Sequence, residues 1–167
     1  MRAITGKALG PTLGMYSHGM VAPGGELVVV AGQVGADRAG NLVGPGDVVA
    51  QTRQAFENVR AVLEAAGSGM RQIVRLQTFL THAADIEGFM QARKELFPRY
   101  FPDGVYPPNT LLVVSRLVVP ELLVEIEAMA VKPAGATAKA RASRRPAAKS
   151  SRGKRATGRR PASRKRG

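Results

Sequence analysis

Hydrophobic and polar positions alternate along Leu122–Val131, which predicts a β-strand with two different faces. The even-numbered positions are all apolar: Val124, Ile126, Ala128 and Ala130. The positions between them mix large apolar residues with two carboxylates, Glu125 and Glu127. A core does not accept two unpaired acids, and a solvent-facing strand has no need of the apolar neighbours. The pattern therefore predicts that a partner subunit covers the second face.

Apolar residues at helical spacing predict a long helix after Asp47. The positions that recur at this spacing are Val48, Thr52, Ala55/Phe56, Val59, Val62/Leu63 and Ala66. Asp47 stands where a side chain can cap the first turn, and Gly67 stands where a helix can end. This helix is the longest periodic element of the chain.

Shorter segments complete the predicted elements. The other strands are predicted at Glu26–Gln33, Ile73–Leu80 and Thr110–Val114. Asp85 is predicted to cap a second helix whose last turn is disturbed by Pro98, and the Gly40-Asn41 pair predicts a hairpin turn. The order ββαβαββ indicates an α+β fold, in which a single sheet carries both helices on one face. The other face is left for solvent or a partner.

Charge divides the 167-residue chain, whose formal net charge is +13, into two unequal parts. Residues 1–131 contain 11 basic residues and all 12 acidic residues, a net charge of −1. Residues 132–167 contain the other 14 basic residues and no acid, a net charge of +14. We therefore predict a globular domain over 1–131 and a disordered basic tail over 132–167, because the tail has too few apolar residues to form a core.

The absence of cysteine excludes disulfides, thiolate metal sites and a cysteine nucleophile. No apolar run reaches the length of a membrane span, and we expect a cytoplasmic protein without membrane contact. The two histidines, His18 and His82, have no other ligand type at metal spacing, so we expect neither a metal nor another cofactor.

Glu125 is the best candidate for chemistry from the residues alone. It projects from a strand face that is expected to be covered, near the loop that carries Asn109. Partial burial raises the pKa of a carboxyl group, which could then hold or activate a water molecule. The alternative is that Glu125 and Glu127 only form ion pairs with basic residues across an interface.

Several segments together resemble the RidA/YjgF family of small imine and enamine deaminases. The similar segments are Leu13–Gly19, Val30–Val34, Val49–Gly67, Ile73–Thr81, Pro107–Thr110 and Leu123–Val131. The resemblance implies a chorismate-mutase-like fold assembled as a homotrimer, with ligand clefts between the subunits. A neighbouring subunit would then cover the strand face of Glu125.

The resemblance also implies site residues where this sequence matches the family. Tyr16 stands at the position of the family's site tyrosine. Gly32 stands at the cleft glycine whose backbone lies close to the ligand. Glu125 stands at the glutamate that orients the hydrolytic water. Together these residues would shape the cleft and activate water.

Three positions depart from the family pattern. Ala31 replaces a common serine, Arg93 replaces a common asparagine, and Asn109 replaces the arginine of deaminase members. That arginine is implied to bind the carboxylate of a 2-imino acid through paired charged hydrogen bonds. Losing a charged hydrogen bond weakens binding by about 1.5–3 kcal/mol, or roughly ten- to a hundredfold. The exchange argues against efficient hydrolysis of the usual imino acids.

Two interpretations of the cleft follow. In the first, Arg93 supplies the lost positive charge, and both Arg93 and Asn109 contact the substrate. In the second, the ligand has no carboxylate, or the cleft only binds, and Arg93 is a solvated helix residue. Tyr16 also has two interpretations, a ligand contact or a loop aromatic that closes the edge of the core.

The sequence therefore leaves three functions open. The first is a hydrolytic deaminase of reactive enamines or imines, with Glu125 as the catalytic residue. The second is a non-catalytic trimer that binds a small metabolite. The third is a nucleic-acid-associated protein in which residues 133–167 bind polyanions through their positive charge.

Overall fold

Six strands form two sheets in this computed structural model, which describes residues 1–4 and 8–134. Strands β1 (Arg2–Ile4) and β2 (Gly19–Val21) pair in a small antiparallel sheet. The four strands of the main sheet are β3 (Gly25–Val34), β4 (Ile73–Leu80), β5 (Asn109–Val113) and β6 (Val124–Pro133). Their order across the sheet is β3-β6-β4-β5, and β6 is antiparallel to both of its neighbours.

The two helices are α1 (Val48–Ala65) and α2 (Ile86–Tyr100). The Oδ1 atom of Asp47 accepts hydrogen bonds from the backbone N–H groups of Val49 and Ala50, at 2.9 and 3.0 Å. Gly67 follows the helix with a φ of +76°, a conformation that glycine adopts without strain. The predicted start and end of the first helix are both confirmed.

Both helices lie on one face of the main sheet, as predicted. Helix α1 packs against β3, β6 and α2. Phe56 of α1 lies at the centre of an aromatic cluster, with its ring 5.5 Å from that of Phe97 and 6.5 Å from that of Phe89. The connection between β4 and β5 passes through α2, which makes β4 and β5 the parallel pair of the sheet. The mixed α+β class and its helix-covered face are confirmed.

The alternation of β6 is also confirmed. The side chains buried against the helices are Val124, Ile126, Ala128 and Ala130. Glu125, Glu127 and Met129 lie half-buried on the opposite face. On the same open face, Leu27 and Val29 of β3 are 63% and 62% exposed in the single chain. A central strand therefore presents two acids on a face that also carries large apolar side chains.

The hairpin predicted at Gly40-Asn41 is reduced to a single bridge between Ala36 and Leu42. The turn is closed by Asp37, whose Oδ1 atom accepts hydrogen bonds from the backbone N–H groups of Ala39 and Asn41 at 2.8 and 2.9 Å. Two backbone hydrogen bonds also cross the turn, from the N–H of Asp37 to the Asn41 carbonyl at 2.9 Å and from the N–H of Val43 to the Gly35 carbonyl at 2.8 Å. The additional strands near the amino end, β1 and β2, form their own sheet instead.

The second helix differs from its prediction at both ends. Asp85 stands at the capping position, but its side chain makes no capping hydrogen bond because a 3-10 turn, Ala83–Asp85, leads into the helix. Pro98 lies inside α2, and the helix continues to Tyr100. The backbone N–H of Phe101 still donates to the Phe97 carbonyl at 2.7 Å, so the last turn closes around the proline.

At its carboxyl end β6 continues to Pro133, two residues beyond the predicted domain boundary. Residues 135–167, and with them most of the predicted basic tail, lie outside the described residues. Within the described ranges, no helix is long and apolar enough to cross a membrane.

Candidate functional site

A β-bulge in the edge strand β3 lies beside Glu125. Between Val30 and Gln33 the pairing of β3 with β6 shifts by one residue. Ala31 and Gly32 therefore lie opposite a single residue of β6, Glu127. Bulges of this kind bend a strand and redirect its side chains. The irregular part of β3 lies beside the two acids of β6.

Gly32 makes room for the Glu125 carboxylate. A Cβ atom added at Gly32 would lie 1.7 Å from Oε1 of Glu125 and 2.5 Å from its Cδ. Since no side chain can occupy that space, the carboxylate lies directly against the backbone of β3. The structure thus brings together two of the residues that the sequence predicted for the site.

The surroundings of Glu125 favour its protonated form. Partial burial raises the pKa of its carboxyl group above the usual range, and the negative charge of Glu127 raises it further. No hydrogen bond to the carboxylate is formed within residues 1–4 and 8–134, and an open cleft of about 440 Å³ lies in front of it. The cleft is lined by Phe79, Val114, Arg116, Leu117, Val118, Glu125 and Glu127. A free carboxyl group with a raised pKa is suited to exchanging a proton with a small molecule or water.

Arg93 lies in the interior of the domain. Its side chain is 2% exposed, and its guanidinium lies 4.3 Å from the ring centre of Phe97. One guanidinium nitrogen donates to the backbone carbonyl of Met15, while Nε has no partner in the described part of the chain. Burial lowers the pKa of this side chain to about 10. The interpretation of Arg93 as a solvated helix residue is therefore wrong.

Two contacts hold the loop that carries Tyr16. Arg93 binds the carbonyl of Met15, and Ser17 Oγ donates to the carbonyl of Tyr106 at 2.5 Å. Tyr16 itself is half-buried, and its hydroxyl oxygen accepts a hydrogen bond from the backbone N–H of Leu13 at 3.3 Å. Met15 is the loop side chain that packs against the core. The contacts of Met15 and Ser17 therefore hold Tyr16 in position.

Asn109 lies on the face opposite to Glu125. It accepts a hydrogen bond from the buried Thr78 hydroxyl at 3.2 Å, on the helix-covered side. By the strand register, Asn109 and Glu125 are two strand spacings and three residues apart, or roughly 14 Å between Cα atoms. One chain therefore does not bring them into a common site, and a site that uses both requires two copies.

Sequence reasoning passed over Arg116, which lines the same cleft as Glu125. Arg116 lies in the connection between β5 and β6, where no periodic pattern indicates which way a side chain points. Its signal in the sequence was a lone basic residue between the apolar segments Thr110–Val114 and Leu122–Val131. Across the described ranges, no group of three His, Asp or Glu side chains is placed to hold a metal ion.

Comparison with known proteins identifies the family of this chain. The profile of the family described as Endoribonuclease L-PSP matches residues 5–132. A RutC family protein of Pyrococcus horikoshii is 34% identical over 120 residues, which span 72% of this chain and 89% of that protein. The chain belongs to the RidA/YjgF family.

Solved structures place the same fold in other RidA/YjgF members. A Rid family protein of unknown function from Yersinia pestis has a TM-score of 0.68 and 33% identity, with 78% of this chain and 97% of that chain covered. The Escherichia coli protein TdcF, solved with bound serine, has a TM-score of 0.58 and 28% identity, with 80% and 100% covered. The α+β fold predicted from the sequence is thus the fold of the RidA/YjgF family.

Proposed function

We propose that the protein is a homotrimer that hydrolyses small imines or enamines in clefts between its subunits. The observation that carries the proposal is the Glu125 carboxyl group, which lies against Gly32, has a raised pKa and faces an open cleft. The reaction adds water to the C=N carbon and releases ammonia: R₂C=NH + H₂O → R₂C=O + NH₃. Its needs are a proton acceptor for the water and a proton donor for the leaving nitrogen.

Glu125 would serve both needs in turn. Its carboxylate accepts a proton from water as the oxygen bonds to the imine carbon, and it passes this proton to the nitrogen to give a neutral carbinolamine. In a second transfer it takes the hydroxyl proton and delivers it to the nitrogen, so that the C–N bond breaks, ammonia leaves and the C=O bond forms. A carboxyl group with a raised pKa suits this exchange, because both its forms are populated closer to neutral pH. Gly32 lets the carboxylate lie directly against the backbone of β3.

The separation of the candidate residues supports a site built by two subunits. Glu125 and Gly32 lie on the open face, whereas Asn109 lies on the helix-covered side of the same chain. The open face also presents Leu27 and Val29, and covering such residues is favourable in water. In the proposed assembly, one copy provides Glu125 and Gly32, while Tyr16 and Asn109 of the next copy complete the cleft.

Arg93 contributes to the proposed site indirectly, by holding the loop that carries Tyr16. Its guanidinium is buried and bonded to the carbonyl of Met15, so it sets the position of Tyr16. We therefore propose that Arg93 acts as a positioning residue. Replacing it with alanine would affect activity by releasing the loop, rather than by removing a charge from the substrate.

Ammonia release from freshly generated 2-iminobutanoate and 2-iminopropanoate tests the reaction. Wild type should accelerate release, Glu125→Ala should abolish it, and Asn109→Arg should increase it by adding a charged contact. Glu121→Ala, a change at an exposed acid outside the cleft, is the matched control and should behave as wild type. No release from wild type or Asn109→Arg would favour the second function, a non-catalytic trimer that binds a small metabolite. Light scattering that finds only monomers would contradict the assembly.

The basic tail supports a separate proposal about partners. The 13 basic residues of 133–167 would bind nucleic acid or another polyanion mainly through phosphate neutralisation, with strong dependence on salt. Three tails on one trimer would add to the affinity. The affinity for duplex DNA against salt concentration, with and without residues 133–167, tests this proposal. Equal affinity of the two proteins would exclude the tail as the binding element.

A further inference from the structure

Arg116 is held in place by anchored residues on either side. On one side, the backbone N–H of Val114 donates to the carbonyl of Leu80 at 2.8 Å, which extends the contact between β5 and β4. On the other side, Leu117 is buried. The backbone that carries Arg116 is therefore positioned before any ligand arrives, although the Arg116 side chain itself is exposed.

Gln51 of α1 fixes the far end of the same connection. Its side chain is fully buried, and its amide nitrogen donates to the carbonyl of Glu121 at 3.0 Å. Its amide oxygen accepts a hydrogen bond from the backbone N–H of Leu123 at 2.9 Å. Buried groups bonded in this way are costly to separate, so the connection has a defined course.

Arg116 is not neutralised by the acids of its own cleft. Of the ion pairs in the described part of the chain, those of arginines involve Arg53, Arg60 and Arg71, and none involves Arg116. Glu125 and Glu127 line the same cleft without forming an ion pair with it. A cation and a carboxyl group thus face one cleft and remain available to a third group.

The walls between these charges are apolar. Phe79, Val114, Leu117 and Val118 line the cleft beside Arg116. Small-molecule sites commonly combine apolar walls with a few polar groups that fix orientation. A guanidinium offers paired N–H donors that match a carboxylate, and the apolar walls match a short alkyl chain.

We propose that Arg116 binds the carboxylate of a small organic acid in this cleft and so directs the acid's C=N carbon towards Glu125. This inference rests on the proposed function and assigns the residue that would recognise the carboxylate of its substrate. The neutral Asn109 and the buried Arg93 lack either the charge or the access for this role. Arg116 would then be the specificity-determining residue of the cleft.

Calorimetric binding of 2-oxobutanoate, a stable analogue of the imino acid, tests the proposal without requiring turnover. Arg116→Gln should weaken binding about ten- to a hundredfold, as expected for a lost charged hydrogen bond. Arg116→Lys keeps the charge but not the paired donors and should give an intermediate affinity. Because it is the more conservative change, it still tests the proposal if Arg116→Gln does not assemble. The affinity for the neutral methyl ester should be equal in all three proteins.

Further measurements distinguish the possible outcomes. Arg99→Gln removes an exposed charge from α2, outside the residues that line the cleft, and should leave the 2-oxobutanoate affinity unchanged. Inorganic phosphate should bind more weakly than 2-oxobutanoate, because it cannot use the apolar walls. Wild-type affinity in both Arg116 variants, an equal loss in Arg99→Gln, or equally tight phosphate binding would overturn the proposal.

Turnover separates this inference from the proposed function. Glu125→Gln should lose ammonia release and retain its affinity for 2-oxobutanoate, whereas Arg116→Gln should raise KM far more than it lowers kcat. If wild type releases no ammonia, the reaction is wrong, and the binding comparison still decides the role of Arg116. A lower kcat with unchanged KM in Arg116→Gln would contradict carboxylate binding.

Discussion

Replacing Gly32 with alanine is expected to displace the Glu125 carboxylate while leaving the domain folded. The new Cβ atom would lie 1.7 Å from Oε1 of Glu125, whereas ordinary van der Waals contacts begin near 3.4 Å. The carboxylate must therefore move by about 1.7 Å. Glu125 is only half-buried, so its side chain can move without displacing β6.

The expected effect on catalysis is much larger than the effect on stability. A displacement of about 1 Å costs roughly a hundredfold in rate, or about 2.7 kcal/mol of transition-state stabilisation. A strained rotamer of Glu125 costs about 0.5–1.5 kcal/mol, and alanine gains about 0.5–1 kcal/mol over glycine in a strand. The two contributions oppose each other, so the free energy of unfolding should change by less than about 1 kcal/mol.

Ammonia release and urea unfolding, measured on the same preparation, test this separation. Gly24→Ala is the matched control, because a Cβ at Gly24 meets no atom within 4 Å and its φ is not positive. It should keep both activity and stability. A Gly32→Ala protein with wild-type kcat would refute the assigned role of the Glu125 position. A loss of more than about 3 kcal/mol in stability would show that the backbone moves instead of the side chain.

Three further changes test the electrostatics and the buried contacts. Glu127→Gln removes a like charge and lowers the pKa of Glu125, so the acid limb of the kcat profile should shift to lower pH. Tyr100→Phe removes a 2.6 Å hydrogen bond to Glu57 and should lower the free energy of urea unfolding by about 1 kcal/mol near neutral pH. That bond lowers the pKa of Glu57, so its contribution is present above the unfolded-state pKa and is lost as the pH falls. Gln51→Leu leaves two partly buried backbone groups, the Glu121 carbonyl and the Leu123 N–H, without their partner and should cost about 2–4 kcal/mol in thermal or urea unfolding.

Each change has a matched control. Glu121→Gln removes an exposed charge outside the cleft, and an equal shift of its acid limb would rule out a specific effect of Glu127. Tyr106→Phe changes another partly buried tyrosine, and an equal loss of stability in both variants at every pH would contradict a specific contribution of the bond between Tyr100 and Glu57. Gln91→Leu changes an exposed glutamine of α2 and should leave the free energy of unfolding nearly unchanged. A Gln51→Leu protein as stable as Gln91→Leu would contradict the stabilising role of the Gln51 hydrogen bonds.

The parts of the fold that depend on local periodicity were predictable. The two-residue period of β6 determined which side chains face the helices, and all four predicted core residues are buried. Asp47 caps α1 because its carboxylate needs only the N–H groups two and three residues ahead. The ends of β6 were displaced by two residues, since they depend on pairing with β3 and β4. The turn at Gly40-Asn41 was predicted because glycine and asparagine favour turns, but the strands expected beside it are reduced to the single bridge between Ala36 and Leu42.

The candidate site was predictable only in part. Glu125 was found because an acid interrupts an apolar face, which is visible in one segment of sequence. Arg93 shares its helical side with Phe89 and Leu96, and this spacing was the signal for its burial; its charge argued for solvent instead. The position of Arg116 depends on a connection that Gln51 fixes from far along the chain, and local patterns contain no such information.

The direction of β6 separates two parts of the protein that could otherwise interfere with each other. Glu125 lies near the start of this strand and Pro133 at its end, roughly 27 Å away at the rise of an extended chain. Whatever follows Pro133 therefore begins at the far rim of the sheet from the carboxylate. Selection can lengthen, recharge or remove that extension without altering the cleft, and an affinity label or surface tether placed there should leave the cleft accessible.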